Sequence, residues 1–381
     1  MSTEKKKVLV MADWYAPGYK AGGPIRSCVN FAEHLKGDLD IYVFTSDRDL
    51  NEPFPYKDIV QNEWVEKAAG IKVFYASPDW LSLTGIRKLI SEVQPQIVYL
   101  NSMFSRYFSL YPLLWKRISL AETRFVLAPR GMLKDSAIQF KRRKKKFFLN
   151  LFRWAGLHKK IDFHCTDDTE LQDVKKYFGS VTAKVLGNLP GTQKKLVLPQ
   201  SKLPGALKLL FVGRIHPIKN LHYLLLRLMQ VRSKIELSIV ATIEDAGYWK
   251  DCRKIIDGLP GNVKVELKGE KPHYEIEQLM IENHVFVLPT SGENFGHAIF
   301  EALAAGRPVL ISDQTPWRNL AGAKAGWDIS LSEQDKFVEI IEAFASMNES
   351  ELNEWCIGAW QFAHEYLKYS DKRKQYLEFF K

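Results

Sequence analysis

The chain has few cysteines and no long apolar run, and both shortages limit what kind of protein it is. Its four cysteines, among 381 residues, lie far apart at positions 28, 165, 252 and 356. This spacing offers no disulfide framework and no C-x-x-C zinc motif, which favours a reduced, cytoplasmic protein. No apolar stretch approaches the ~20 residues of a membrane-spanning helix. The N-terminal MSTEKKKVLV lacks the apolar core and cleavage site of a secretory signal.

Positive charge is abundant, but it is concentrated in one half of the chain. The formal net charge is +10. Residues 1–195 contain 32 Lys and Arg against 20 Asp and Glu, whereas the remainder contains 22 against 24. Such asymmetry concerns binding partners and not the fold. An anionic partner is therefore expected at the N-terminal half.

Short aliphatic runs alternate with helical patterns along the chain. Near-continuous Val, Ile and Leu are typical of buried parallel strands, and strands that alternate with helices predict doubly wound sheets. The predicted strands are 6–13, 39–46, 71–77, 96–102, 124–130, 161–167 and 183–188, followed by 207–214, 234–242, 263–269, 284–291, 308–313 and 326–330.

The predicted fold class is α/β, with two Rossmann-like doubly wound parallel-sheet domains facing a cleft. The first domain covers residues 1–190, and the proline-containing stretch 191–206 is the predicted linker. The second domain covers residues 207–362, and we expect the C-terminal segment 363–381 to be a helix that packs back on the first domain.

The stretch FVGRIHPIKN (211–220) places two cations on a loop between a strand and a helix. Ligands of open α/β sheets bind beyond the carboxyl ends of the strands, and helix N-termini suit phosphate. Arg214 and Lys219 therefore suggest a diphosphate site that begins at Gly213. A solvated Arg and Lys on an ordinary turn is the alternative.

A second strand-to-helix loop, TSGENFGHAIFE (290–301), carries two glutamates. Glu293 lies in the loop, and Glu301 lies two turns into an otherwise apolar helix. Carboxylates of this kind can accept hydrogen bonds from sugar hydroxyls, while the amides near the helix start suit an anion. Each glutamate alone is also compatible with an ordinary helix start.

Together the two stretches resemble the retaining family 4 glycosyltransferases (glycosyl transferases group 1), which have the GT-B fold. The second domain of that family carries a G-R-x-x-x-x-K loop and an E-x7-E segment, as this chain does from Gly213 and from Glu293. AAGRPVLISD (304–313) and APRGML (128–133) are also similar to segments of the family. APGYKAGGPIRSCVNFAEHL resembles its Gly-Gly loop, at Gly22 and Gly23.

The resemblance implies a nucleoside-diphosphate-sugar donor and a retaining transfer that needs no metal and no cofactor. Arg214, Lys219 and Glu293 would be the catalytic residues, with Arg214 and Lys219 on the diphosphate and Glu293 on the sugar. Glu301 would bind the ribose. The other implied donor-binding residues are Gly22, Gly23, Gly213, Asn294, Phe295 and Gly296.

The chain departs from the family at the end of its fourth long strand. Relatives often carry a V-V-H-x-H pattern there, whereas IVYLNS places Tyr99 and Asn101 at the histidine positions. No catalytic histidine is therefore predicted. Asp13, Asn101 and Arg130 are candidates for the cleft and the acceptor, with structural pairing inside the loops as the alternative.

The segment 140–160 combines consecutive cations with aromatic residues. Basic clusters next to apolar side chains are typical of helices that bind anionic membrane surfaces, so we expect a cytoplasmic protein that is peripheral on the inner membrane face. The alternative is a solvated helix end whose apolar side packs in the core. No nucleic-acid-binding fold accompanies the cluster, so we expect no nucleic-acid partner. The consecutive cations are Lys141, Arg142, Arg143, Lys144, Lys145 and Lys146.

The predicted function is transfer of a sugar to a glycan or lipid-linked glycan acceptor in surface-glycan biosynthesis. Two alternatives keep the fold. One is a nucleotide-sugar epimerase or sugar-phosphate synthase, and the other is an inactive nucleotide-sugar-binding partner of a membrane complex.

Overall fold

The computed structural model describes residues 5–118, 122–139, 142–199 and 202–381. By its internal contacts the chain divides into two units. The first comprises residues 1–189 together with 371–381, and the second comprises residues 190–370.

The first unit contains an eight-stranded sheet in the order β3-β4-β2-β1-β5-β6-β7-β8. Its strands are β1 (Lys6–Met11), β2 (Leu39–Ser46), β3 (Trp64–Ala68), β4 (Ile71–Ala76), β5 (Ile97–Leu100), β6 (Arg124–Leu127), β7 (Asp162–Cys165) and β8 (Ala183–Val185). Every predicted strand of this half is present. The sheet is not purely parallel, however, because β3 pairs antiparallel with β4 at one edge. Its sequence, WVEKA, is only partly buried and lacks the apolar run that marks the other strands.

Helices cover both faces of this sheet. They are α1 (Gly23–Leu35), α2 (Leu83–Val93), α3 (Tyr111–Ile118), α4 (Asp135–Gln139), α5 (Arg142–Trp154) and α6 (Asp168–Phe178). One apolar cluster, with Ile86, Leu89 and Phe152, lies on one face. A second, with Val10, Phe31 and Tyr99, lies on the other. Two-sided burial explains the near-continuous apolar strands.

The second unit contains a six-stranded, wholly parallel sheet in the order β11-β10-β9-β12-β13-β14. The strands are β9 (Ala206–Ile215), β10 (Lys234–Ile243), β11 (Val263–Gly269), β12 (Val285–Leu288), β13 (Val309–Ser312) and β14 (Gly326–Ile329). The helices are α7 (Leu221–Leu228), α8 (Ala246–Asp257), α9 (His273–Glu282), α10 (His297–Ala304), α11 (Gln334–Ser346) and α12 (Glu349–Tyr369).

The stretch predicted as a linker is fastened to the second unit by buried donors. The indole of Trp360 donates to the carbonyl of Lys194 at 2.7 Å, and the buried guanidinium of Arg307 donates to the carbonyl of Val197. The Lys202 ammonium donates to the carbonyls of Ala345 and Met347. A side chain that satisfies a backbone carbonyl fixes the path of an irregular segment.

The last helix, α13 (Lys372–Phe380), belongs to the first unit. Tyr376 and Phe380 are buried there, and the ring of Phe380 lies 5.0 Å from the rings of both Phe31 and Tyr99. Residues 363–370, which precede it, belong to the second unit. Among the described residues, no helix combines the length and apolarity needed to cross a bilayer.

Each sheet has one point where the strand order reverses direction. In the first sheet this point lies between β1 and β5, and in the second it lies between β9 and β12. Crossovers that leave in opposite directions open a crevice at the carboxyl ends of such a strand pair, where ligands of open α/β sheets bind.

Candidate active site

At the second switch point, Arg214 lies near the carboxyl end of β9. Its side chain is 49% exposed, and Nη1 lies 2.7 Å from Oε2 of Glu244, which follows β10. Glu244 was not predicted from the sequence, although it lies two residues after the predicted strand 234–242. An ion pair this exposed is worth about 0–1 kcal/mol, so Arg214 can exchange this carboxylate for another anion at little cost.

Lys219 and Glu293 form an ion pair across the same crevice. Both side chains are largely buried, with exposed fractions of 17% and 13%. The stem of Lys219 lies over Gly213, where a β-carbon would come within 3.6 Å of its Cγ. The loop after β9 and the loop after β12 therefore meet through opposite charges, as the sequence could not show.

The two loops are also joined through one backbone carbonyl. The oxygen of Ile218 accepts hydrogen bonds from the Ser291 amide at 2.8 Å and from Thr290 Oγ1 at 2.9 Å. The amide of Glu293 donates to the carbonyl of Gln314 at 3.0 Å. These hydrogen bonds fix the backbone of the two loops that contain Lys219 and Glu293.

Helix α10 begins at His297, and the preceding Gly296 has a φ of 75°, in the left-handed region. No side chain of the described residues forms a hydrogen bond that caps this helix start. Phe295 is buried among Phe300, Trp317 and Tyr366, so its side chain belongs to the core. The Phe295 carbonyl accepts a hydrogen bond from the Trp317 indole, and the neighbouring Asn294 is half-buried.

Glu301 lies in the second turn of α10, with 13% of its side chain exposed. Its Oε2 is 3.8 Å from Nδ1 of His273, the first residue of α9, and Nε2 of His273 is 3.0 Å from Oε1 of Glu277. His273 was not predicted as a site residue. The loop 268–273 and Glu301, the second glutamate of the E-x7-E segment, thus lie close together in the second unit.

At the first switch point, Asp13 follows β1 and accepts a hydrogen bond from Ser105 Oγ at 2.8 Å. Burial raises the pKa of the Asp13 carboxyl above its ordinary value, and the bond from Ser105 partly opposes this shift.

The Gly-Gly loop leads from there into α1. Gly22 has φ 62° and ψ −119°, a conformation that disfavours any side chain, and a β-carbon at Gly22 would meet no atom within 4 Å. Gly23 is exposed at the start of the helix. Buried Asp49 holds the preceding turn by accepting from the amides of Tyr19 and Lys20 at 2.7 and 3.1 Å. This role of Asp49 was not predicted from the sequence.

Asn101 and Arg130 are bonded to each other within the first unit. Arg130 Nη2 donates to Asn101 Oδ1 and to the Tyr99 hydroxyl, both at 2.8 Å, and Nη1 donates to Asn188 Oδ1 at 2.5 Å. Asn101 is 5% exposed. Most of the side-chain polar atoms of these two sequence-predicted candidates therefore form hydrogen bonds with neighbouring residues.

The network continues to His164, which the sequence analysis also missed. His164 Nε2 lies 2.8 Å from the Leu186 carbonyl, an acceptor only, so this nitrogen carries the proton and Nδ1 accepts from the Tyr99 hydroxyl at 2.6 Å. Burial lowers the pKa of His164 to about 3, and the charge of Arg130 adds to the effect. The imidazole is therefore neutral and structural.

Buried Glu170 supports the backbone beside Arg130. It accepts hydrogen bonds from the Gly131 amide, from the Thr166 amide at 2.6 Å and from Thr166 Oγ1 at 2.8 Å. Arg130 itself has a left-handed φ of 56°. Such a conformation in a residue with a side chain persists only where its surroundings fix it.

The cations of the basic segment lie on α5, apart from Lys141, which falls outside the described residues. Arg142, Arg143, Lys144 and Lys146 are exposed. Lys145 is half-buried and donates to the Ala137 carbonyl at 2.8 Å. Within the part of the chain that the structure describes, no group of three or more His, Cys, Asp or Glu is arranged to hold a metal ion.

Part of the chain matches a known protein family. Residues 195–357 match the family model described as Glycosyl transferases group 1. The fold is GT-B, as in the solved structures to which the chain is similar. The family match lies within the second unit and covers less than half of the chain.

Two curated proteins share sequence with parts of the chain. The sulfoquinovosyl transferase SQD2 of Arabidopsis thaliana is 32% identical over 99 residues, 26% of this chain and 18% of that protein. The putative colanic acid biosynthesis glycosyltransferase WcaL of Escherichia coli (strain K12) is 25% identical over 154 residues, 38% of each. The chain thus spans less than two fifths of either relative.

Solved structures match over nearly the whole length. Sucrose-phosphate synthase from Thermosynechococcus elongatus gives a TM-score of 0.71 at 14% identity. The match covers 99% of this chain and 98% of the synthase chain. Anabaena HepE, solved with UDP and glucose, gives 0.66 at 16% identity and covers 98% of both chains.

Proposed function

We propose that the protein transfers a sugar from a nucleoside diphosphate to a glycan or lipid-linked glycan, with retention, and that the second unit holds the donor. One observation carries the proposal. Arg214, Lys219, Glu293 and Glu301 all lie along the carboxyl edge of the second sheet, around the crevice at β9 and β12. Two cations and two carboxylates suit a ligand that is anionic in its middle and carries hydroxyls at its ends.

Donor binding would exchange ion-pair partners that are already in place. Lys219 pairs with Glu293, and Arg214 pairs with Glu244. A diphosphate between the cations would take their charge and release Glu293 to accept hydrogen bonds from the sugar. Glu301, held near His273, would accept from the ribose hydroxyls at the other end. The protein therefore balances the charge of its donor site before the donor arrives.

The same groups would stabilise the reaction. Departure of the nucleoside diphosphate builds negative charge, and preorganised cations aimed at that charge lower the barrier. The backbone at the start of α10 adds the positive end of a helix dipole. Side chains and dipoles would thus take the role that a metal ion has in other transferases, so we propose a reaction that is insensitive to EDTA.

Related proteins support the nature of donor and pathway. Anabaena HepE was solved in complex with UDP-glucose, and the partial relative WcaL is described as a putative colanic acid biosynthesis glycosyltransferase. We therefore propose a nucleotide sugar as donor and surface-glycan biosynthesis as the setting. Asp13 is the proposed contact to the acceptor, while Arg130 and Asn101 position the strand ends around it.

A thermal-shift panel with UDP, GDP and ADP and their sugars tests the donor site. A ligand at ~100 times its dissociation constant adds ~2.7 kcal/mol to the stability, which is a readily measured rise in melting temperature. We expect one nucleotide family to stabilise the protein and Lys219→Ala to abolish the shift. A shift that survives in both Lys219→Ala and Arg214→Ala would place the nucleotide elsewhere.

Product analysis with the donor found in this way separates transfer from its alternatives. Two matched structures are sugar-phosphate synthases, of sucrose phosphate and trehalose phosphate, so free phosphosugars belong in the acceptor panel beside lipid-linked glycans. Transfer to a phosphosugar alone would favour a synthase, and an altered donor sugar would favour an epimerase. Binding without any turnover would favour an inactive binding partner. The anomeric configuration of the product, determined by NMR, tests retention.

A further inference from the structure

Helix α5 carries an apolar stripe on its solvent side. Leu149 and Phe152 face the core of the first unit and are 4% and 2% exposed. Phe147, Leu151 and Trp154 are instead 71%, 46% and 84% exposed. Their spacing of i, i+4 and i+7 places them on one face of the helix. The helix is therefore apolar on two sides, and only one of them is covered by the core.

Cations surround this stripe at both ends. The first turn supplies exposed Arg142, Arg143, Lys144 and Lys146. Arg153 and, beyond the helix, Lys159 and Lys160 are exposed near the other end. A second element contributes exposed Arg117 at the end of α3, whose Nη1 donates to the Ala155 carbonyl at 2.6 Å.

No negative charge interrupts this surface along the segment. Between Asp135 and Asp162 the sequence contains no Asp or Glu, while it contains nine Lys and Arg. The exposed cations of the first turn have no carboxylate neighbour in this segment, so their field sums. An exposed apolar patch rimmed by charge of one sign marks a binding surface.

We propose that α5 docks the protein on an anionic membrane surface. Phe147, Leu151 and Trp154 would insert between lipid headgroups, and the flanking cations would contact lipid phosphates. Apolar residues on one face and basic residues around it are the composition of helices that lie in the membrane interface. Nucleic acid would satisfy the cations, but it presents no apolar layer for Leu151. The proposal rests on α5 alone and does not depend on the donor site.

Flotation with liposomes tests the proposal on the full chain. We expect the protein to float with vesicles of phosphatidylcholine and phosphatidylglycerol, and to stay unbound with phosphatidylcholine alone. Binding should weaken as salt is added, because the Debye length falls from ~10 Å at 0.1 M to ~3 Å at 1 M. Brominated lipids in the anionic vesicles should quench tryptophan fluorescence less in W154F than in the native protein.

Two variants separate the apolar and the electrostatic parts. F147S/L151S/W154S should lower the partition coefficient at least about tenfold, because it removes the inserting side chains. R142Q/R143Q/K144Q/K146Q should lower it about fivefold for each cation removed. All seven positions are exposed, so unchanged melting temperatures would show that the variants are folded.

Matched controls come from exposed residues elsewhere. F54S removes an aromatic residue that is 75% exposed in the first unit, and K234Q/K250Q/R253Q/K254Q removes four exposed cations of the second unit. Both should float like the native protein. Absence of binding to anionic vesicles, equal binding to neutral ones, or full binding by F147S/L151S/W154S would overturn the proposal. So would an RNA duplex that binds through the same residues while vesicles do not. The vesicles contain neither donor nor acceptor, so these outcomes are independent of the proposed transfer reaction.

Discussion

The two units place polar residues at the same topological position, the switch point of a doubly wound sheet, but they use them in opposite ways. In the second unit the charged groups pair across a crevice and keep 13–49% of their side chains exposed. In the first unit, Tyr99 and His164 are fully buried, and Asn101 is 5% exposed. The first network is bonded within itself apart from the buried Nε of Arg130, whereas the second consists of ion pairs that a ligand can exchange.

This difference shows that position in the fold does not by itself make a binding site. A buried network that satisfies all its members rigidifies a domain, and removing one member leaves others unsatisfied. The half-exposed Arg214–Glu244 pair costs little to break, and in the more buried Lys219–Glu293 pair an anionic ligand can take the place of the carboxylate. We therefore expect substitutions in the network of Tyr99, Asn101 and His164 to affect mainly stability, and substitutions at the second switch point to affect mainly activity.

The largest expected effect is on catalysis in the second unit. Arg214→Ala and Lys219→Ala should each lower kcat/KM a hundred-fold or more, because losing one preorganised charge at the leaving group costs ~2.7–4 kcal/mol. Arg214→Ala should change the free energy of unfolding by no more than ~1 kcal/mol. Steady-state kinetics and urea unfolding measure the two quantities. Lys254→Ala, at an exposed ion pair on α8, is the control. Near-native turnover in both variants would remove the diphosphate assignment.

Glu170→Ala should have the largest effect on the stability of the first unit. Three donors lose their acceptor, and an unsatisfied buried donor costs ~1–3 kcal/mol, so we expect a loss of about 3 kcal/mol in the free energy of unfolding. Gln172→Ala, at an exposed position of the same helix, should change it by less than ~0.5 kcal/mol. Equal urea midpoints for the two variants would contradict the hydrogen-bonded network.

The protonation of His164 predicts how stability depends on pH. Its pKa is lowered to about 3 by burial, so the unfolded chain binds a proton below about pH 6.5 that the folded chain does not. Stability is therefore lost as the pH falls, by about 2 kcal/mol between pH 7 and pH 5 from this residue. His284, buried in the second unit with a pKa of about 4, acts in the same direction.

His164→Gln tests this contribution. The difference in unfolding free energy between pH 7 and pH 5 should shrink by about 2 kcal/mol relative to the native protein. His364→Gln, at an exposed histidine, should leave the difference unchanged. An unchanged difference in His164→Gln would mean that its imidazole takes up a proton in the folded state.

The smallest expected difference between the two units is in the loss of stability when a glycine of each unit is replaced by alanine. Gly296→Ala forces a side chain into the left-handed region and brings a β-carbon to 2.8 Å from Ile299 Cδ1. Gly156→Ala in the first unit, where φ is 66° and ψ is 17°, meets the same left-handed backbone penalty of ~1–2 kcal/mol but no atom within 4 Å. Thermal unfolding should therefore show a larger loss for Gly296→Ala. A larger loss for Gly156→Ala would contradict the packing around α10.

Much of the architecture was predictable because parallel strands have a strong local signature. All thirteen predicted strands are present, since burial on both faces demands continuous apolar residues. β3 was missed because an antiparallel edge strand is only partly buried and can be polar. The fold class followed from the alternation of strands and helices.

The candidate residues of the second unit were also accessible from sequence, because Arg214, Lys219 and Glu293 lie within a few residues of a strand end and Glu301 lies in the helix that follows Glu293. Their partners were not. Glu244 and His273 come from other strand–helix connections, and only the order β11-β10-β9-β12 brings those connections beside Arg214 and Glu301. The hydrogen-bonded network of the first unit was hidden for the same reason, since Tyr99 and His164 are 65 residues apart.

The sequence by itself determined the strands, the two loops with Arg214, Lys219, Glu293 and Glu301, and the basic segment at 141–146, because local periodicity and residue chemistry are properties of short stretches. The tertiary structure decided which charges pair, which polar groups are buried, and which side of α5 is left uncovered. Those outcomes depend on burial and on contacts between residues far apart in the chain, which no short stretch contains.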